Sequence, residues 1–198
     1  MNFKVKMDTK AFRQELKKNV EPEIEKLAYQ EAEKIVEENK RVMLAEFDAH
    51  PVTKELKAGP DAENSSKTLG GYGNLFSFIG FNKGDDPISV LREILNFPVK
   101  ISRKATSKTK GRYSFKVDVP TSREIEAETP LPYEPSRSWV RGIERGISGI
   151  GYYIYRKIHG SRSGSGAQSK KQLRGGRFGN RSYLSKILDK FYKNTGIK

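Results

Sequence analysis

The chain has 198 residues, 38 Lys and Arg against 24 Asp and Glu, a formal net charge of +14, and no cysteine. Its length suits one domain, or one domain with long arms, and a real core, yet 35% hydrophobic and 31% charged residues predict a modest core and much exposed or partner-covered polar chain. Without cysteine there is no disulfide framework, zinc ribbon, thiolate-held cluster or cysteine nucleophile, and two histidines, His50 and His159, argue against a His-based metal site or a Ser-His-Asp triad.

From the N-terminus, Phe3, Val5 and Met7 alternate with polar residues and predict a short strand. Asp8-Thr9 offers an N-cap, followed by Phe12, Leu16 and Val20 at helical spacing; Pro22 then begins a new helix or kinks a continuous one. From Glu23 to Phe47 the apolar positions Ile24, Leu27, Ala28, Ile35, Val36, Val42, Met43 and Phe47 keep a helical period among Glu and Lys. They predict one long amphipathic helix ending before Pro51. Residues 57–74, rich in Gly, Ser, Asn and Pro, read as an exposed loop. LFSFIGF follows, read as a core strand with a glycine-rich approach, and Asp85-Asp86-Pro87 caps a short helix from Ile88 to Leu95.

PVKISRK and RYSFKVDVP alternate in period two across the basic turn TSKTKGR and predict an antiparallel hairpin. Pro120, Pro130, Pro132 and Pro135 punctuate an extended segment. Ser136 or Ser138 then caps a helix carrying Trp139, Val140, Ile143, Ile147, Ile150, Ile154 and Ile158, interrupted by glycines. The low-complexity tract GSRSGSGAQSKKQLRGGRFGN precedes a last amphipathic helix, Tyr183 to Tyr192, with Leu184, Ile187, Leu188 and Phe191 on one side. The fold class expected is α+β: a long N-terminal amphipathic helix packed on a small antiparallel sheet, with extended loops and a basic C-terminal helical arm. The division expected is an α+β core over residues 1–135 and a basic Gly-rich arm over residues 136–198.

The charge is unevenly placed. Residues 136–198 hold fifteen basic and two acidic side chains, Glu144 and Asp189, whereas residues 1–57 hold twelve of each. Lys170, Lys171, Arg174, Arg177 and Arg181, interleaved with Phe178 and Tyr183, are the candidates for contact with nucleic acid or an acidic surface. Cations displace the counterions of a polyanion and aromatic rings stack on bases. Arg137, Arg141 and Arg145 form an i,i+4 ladder that would extend this basic face. The competing reading is a solvated loop, and no base-reading module is legible. Leu75, Phe76, Phe78, Ile79 and Phe81, beside GGYG, are candidate subunit anchors, since aromatic residues make good interface knobs. Their plainer reading is core.

Catalysis has little to stand on. His50 sits at a helix end before Pro51, Asp85 and Asp86 are better used as a helix cap than as a metal pair, and Asp118, Glu124, Glu126 and Glu128 are spaced for a strand edge or loop. No apolar run approaches the ~20 residues that span a bilayer, and MNFKVKMDTK lacks the apolar stretch of a secretory signal. A soluble, intracellularly made basic protein is expected, not an enzyme, with no cofactor and no metal.

The opening FKVKMDTKAFRQELKKNV, entering a long charged helix, resembles the small neck and tail-completion proteins of tailed bacteriophages, and HPVTKELKAGPDAENSSKTLGGYGNLFSFIGF is similar to segments of their virion neck proteins. The resemblance is best in the N-terminal half. Over the last 60 residues it extends only to basic, glycine-rich composition. It implies an α+β protomer assembling into a ring of six or twelve copies between portal and tail. The ring's work would be mechanical, joining head to tail around the DNA channel, with portal and tail proteins as partners. Its location would be the virion neck, and the host cytoplasm during assembly. The alternative is a free, non-specific nucleic-acid-binding accessory protein for packaging or recombination.

Overall fold

The computed structural model describes residues 9–69, 73–103, 114–145 and 182–197, and these form an α+β fold in which helices dominate. Helix α1 spans Thr9–Asn19 and α2 spans Glu21–Ala49, with Val20 between them still in right-handed helical geometry. The amides of Val20 and Ile24 donate to the carbonyls of Leu16 and Val20, at 3.0 and 3.1 Å, so hydrogen bonding runs almost unbroken past Pro22. Proline is tolerated there because it occupies the first turn of α2. The expected strand at Phe3–Met7 lies outside the described residues.

Helix α2 ends where Pro51 requires it. His50 is extended (φ −65°, ψ 137°), its amide closes α2 on the Phe47 carbonyl, and its ring Nδ1 accepts from the amide of Val52. One residue therefore terminates α2 and caps the next helix, α3 (Pro51–Ala58), most of which falls between the predicted helix and the predicted loop, where the sequence reading assigns no element. Val52 and Leu56 of α3 are buried, and so is Glu55. The Glu55 carboxylate accepts from the amides of Ser66 at 2.8 Å and Leu75 at 2.7 Å. The segment after α3 is thereby tied back by a buried, charge-assisted pair of bonds rather than left as an open loop.

LFSFIGF is a correction: it is not a strand. Leu75–Ile79 forms α4, with Asn74 accepting from the amide of Ser77 and Gly80 in the left-handed region (φ 93°) closing the C-terminus. Leu75, Phe76 and Ile79 recur at helical spacing, and that spacing decides the matter. Helix α5 runs Pro87–Leu95, capped by Asp86 on the amide of Ser89 at 2.9 Å, as expected from Asp-Pro. The predicted hairpin is present as β1 (Ile101–Arg103) and β2 (Phe115–Val117), antiparallel with Ile101 opposite Val117. Its turn lies outside the described residues.

The proline-punctuated segment is also more structured than expected. Thr121 and Glu124 make a reciprocal capping box that starts α6 (Ser122–Ala127). A short antiparallel pair follows, β3 (Pro130–Leu131) with β4 (Glu134–Ser138). The Ser138 hydroxyl accepts from the amide of Arg141 at 3.2 Å and so caps α7 (Trp139–Arg145), as the sequence predicts; the glycine-bearing continuation lies outside the described residues. The last helix, α8 (Leu184–Thr195), turns Leu184, Ile187, Leu188 and Phe191 inward against α2. Glu144 of α7 accepts from the amides of Tyr183 and Ser185, at 2.9 Å each, placing a carboxylate on the otherwise unpaired N–H groups that open α8.

These elements share one core. Phe47, Leu56, Leu75, Phe76, Leu91, Leu95, Trp139, Tyr183 and Phe191 belong to a single buried cluster, so the boundary expected at 135 is not visible in the packing. Burial, and not chain order, assigns 139–143 and 183–191 to the same body as α2–α5.

Candidate functional site

Of the residues singled out for polyanion contact, Lys170, Lys171, Arg174, Arg177 and Arg181 lie outside the described residues. The five candidate subunit anchors are described. Leu75, Phe76 and Ile79 are at most 1% exposed, so the protomer's own core already occupies them. Phe78 and Phe81 are half-buried against that core, and the Phe81 ring meets Phe76 at 5.3 Å and the edge of Trp139 at 6.0 Å. Aromatic residues beside glycines are used here to close the core around α4, and only the rims of Phe78 and Phe81 face outward.

Arg137, Arg141 and Arg145 do line one concavity, of about 610 Å³, together with Arg123 of α6. Spacing of four residues puts Arg141 and Arg145 on one face of α7, while Val140 and Ile143 are buried. Arg137 pairs with Glu134 at 3.1 Å and Arg141 with Glu126 at 3.4 Å. Half-exposed pairs of this kind contribute about 0–1 kcal/mol each. Residues 114–145 carry five basic and six acidic side chains, so the arginines sit in a balanced neighbourhood and do not build an extended cationic face. A second groove, about 950 Å³, lies between α2 and α8, lined by Glu46, His50, Tyr183, Lys186, Lys190 and Lys193. Lys190 pairs with Glu46 across it. The Tyr183 hydroxyl is hydrogen-bonded to Thr53 Oγ1 at 2.6 Å, and burial pushes the phenol well above its ordinary value of 10.0, so the ring is held neutral between Phe47 and His50. That arrangement is a packed and satisfied buttress for the α2–α8 contact.

The balance found around the arginines holds for the whole described fold. It contains 23 basic and 23 acidic side chains, whereas the residues outside it contain fifteen basic and one acidic, Asp8. The +14 of the protein is therefore carried entirely by sequence that is not part of the described fold.

One surface was missed in reading the sequence. The apolar residues of α1 and α2 do not form one stripe but two. At about 100° per residue, Val36, Met43 and Phe47 fall on one side of the helix, whereas Leu16, Val20, Ile24, Leu27, Ile35 and Val42 fall within an arc of about 100° on the other. The first set is 0–4% exposed and faces the core. The second is 39–64% exposed, and none of its six residues is buried by the described part of the protomer. The strip is apolar from Leu16 to Leu27 and is interrupted by Glu31, Lys34 and Glu38 between Leu27 and Val42; its apolar part is a surface that water leaves at a gain once another apolar surface is offered. The signal was available: assigning each apolar residue an angle, rather than noting a common period, separates the two sets.

Comparison with protein-family models, with curated proteins and with solved structures gives no match to this chain. No described helix is long and apolar enough to cross a membrane.

Proposed function

We propose that the protein is a structural subunit of a tailed bacteriophage particle, part of the neck ring that joins the capsid portal to the tail and surrounds the DNA channel, and that it is not an enzyme. The observation that carries this reading, beside the N-terminal resemblance, is the segregation of charge. A body with 23 charges of each sign can tile against copies of itself and against other proteins without a net repulsive field. Residues 136–198, with fifteen cations and two anions, suit contact with packaged DNA or with an acidic portal surface. The protein would reside in the virion neck after assembling in the host cytoplasm, in a ring of six or twelve copies.

The test is placement in the particle. Antibody against the chain should label the head–tail junction of particles made by a culture that expresses it, and mass spectrometry should find it there in ring-like stoichiometry. Particles that lack the chain would refute the proposal. The same charge excess favours a second reading, a free non-specific nucleic-acid-binding protein for packaging or recombination. In that case DNA binding by the isolated protein falls steeply with salt and disappears when residues 160–182 are deleted.

A further inference from the structure

The outer stripe of α1–α2 lacks a partner among the described residues, and three features point to what covers it. The first is length. Among the residues whose burial is described none before Val36 is fully buried, and the described helical segment ahead of it runs from Thr9 to Ile35, meeting the hairpin through Tyr29. At a rise of about 1.5 Å per residue it is about 40 Å long. Its midpoint is Pro22.

The second feature is charge. In α1 there are four basic residues and one acidic, whereas residues 21–35 hold five Glu and two Lys. The two halves of the segment are thus opposite in sign. The third is the placement of the apolar residues about the midpoint. Reversing a second copy about Pro22 sets Val20 beside Ile24 and Leu16 beside the turn of Leu27 and Ala28.

We propose that the stripe is closed by a second copy of this chain, laid antiparallel with the two-fold axis beside Pro22. In that arrangement residue 9 of one copy lies beside residue 35 of the other, so each helix ends where its partner's body begins. The basic end of each copy lies on the acidic half of the other, and this complementarity is made twice. A parallel, in-register pair would instead place basic on basic and acidic on acidic. An isologous pair closes at two copies and covers the stripe from Leu16 to Ile35, with Val42 beyond the overlap. It describes the free protein, and a rotational ring would have to open it to use the same stripe between neighbours. The inference therefore stands or falls separately from the neck reading.

The absence of native cysteine makes the test clean. Leu16→Cys and Leu27→Cys are made in separate preparations distinguishable by mass, mixed, and mildly oxidised, with Lys57→Cys on the exposed side of α3 as the background control. Both stripe positions are exposed, 41% and 64%, so both variants should unfold thermally with the wild-type protein. The expected result is a mixed 16–27 disulfide exceeding either homodisulfide about tenfold. Predominant 16–16 and 27–27 products would mean a parallel pair and would overturn the proposal. Cross-linking no faster than the Lys57→Cys control would overturn it as well.

Discussion

In the body of the protein Phe47, Trp139 and Phe191 are no more than 2% exposed, while on the N-terminal helix Ile24 is 47% and Leu27 is 64% exposed. Both regions draw on the same residue types, and both keep a helical period. What separates them is whether other elements of the chain reach the apolar side. From Val36 onward α2 lies against α3 and α8, and its inner face is sealed. Before Val36 the hairpin meets α2 only from the inner side, where the edge of the Tyr29 ring stands 6.0 Å from Phe115. On the outer side Leu16, Val20, Ile24, Leu27 and Ile35 stay exposed among the described residues. Hydrophobicity alone therefore does not define a core, and the face that the fold leaves uncovered is the place to look for an assembly contact.

That contrast can be broken most severely from the body. Trp139→Ala should cost about 3–5 kcal/mol in a denaturant titration, the range for deleting a large buried aromatic side chain. A loss below about 1 kcal/mol would show that α7 is not integral to the core. Tyr183→Phe is a smaller cut at the α2–α8 contact. It strands the buried Thr53 hydroxyl and should cost about 1–3 kcal/mol at neutral pH. It also carries a pH signature. Burial raises the folded-state value of Tyr183 above 10.0, so the contribution of the neutral ring is complete below about pH 10 and is lost as pH rises through the folded value. The wild-type protein should lose stability above pH 10 more steeply than Tyr183→Phe does.

A smaller effect is expected at α6. Hydrogen bonds from the Thr121 amide and hydroxyl hold the Glu124 carboxyl below its ordinary value of 4.5, so this cap contributes above that pH and fades as pH falls through the lowered value. The protection of α6 amides, relative to their intrinsic exchange rates at each pH, should fall on acidification in the wild-type protein. In Thr121→Ala it should be low already at neutral pH, with little change elsewhere in the body.

Much of this was legible in the residues. Pro51 marks the end of α2, Asp86-Pro87 the start of α5, Ser138 the start of α7, and the alternation about ISR and FKV the hairpin, because each rests on backbone chemistry local to a few residues. Helix α3 was not legible as a separate element, since its cap is a histidine that serves two helices. The capping box of Thr121 and Glu124 was present in the sequence but was outweighed by the prolines on either side. Glu55 gives no sequence signal, for its role depends on two amides, 11 and 20 residues away, brought to it by the fold. The apolar run at Leu75–Phe81 shows the limit of composition: core and interface use the same side chains, and only packing assigns Leu75, Phe76 and Ile79 to the core.

The central claim is that the body is complete in one chain while the outer face of α1–α2 is a surface for association. The most direct test is the mass of the protein in solution, by light scattering over a concentration series, for the wild type and for Leu16→Glu combined with Leu27→Glu. The account predicts that the wild type runs as a dimer and that the double variant runs as a monomer. Both should unfold at nearly the same temperature when measured at equal monomer fraction. A wild type that remains monomeric at every concentration, or a double variant that associates as the wild type does, would contradict it.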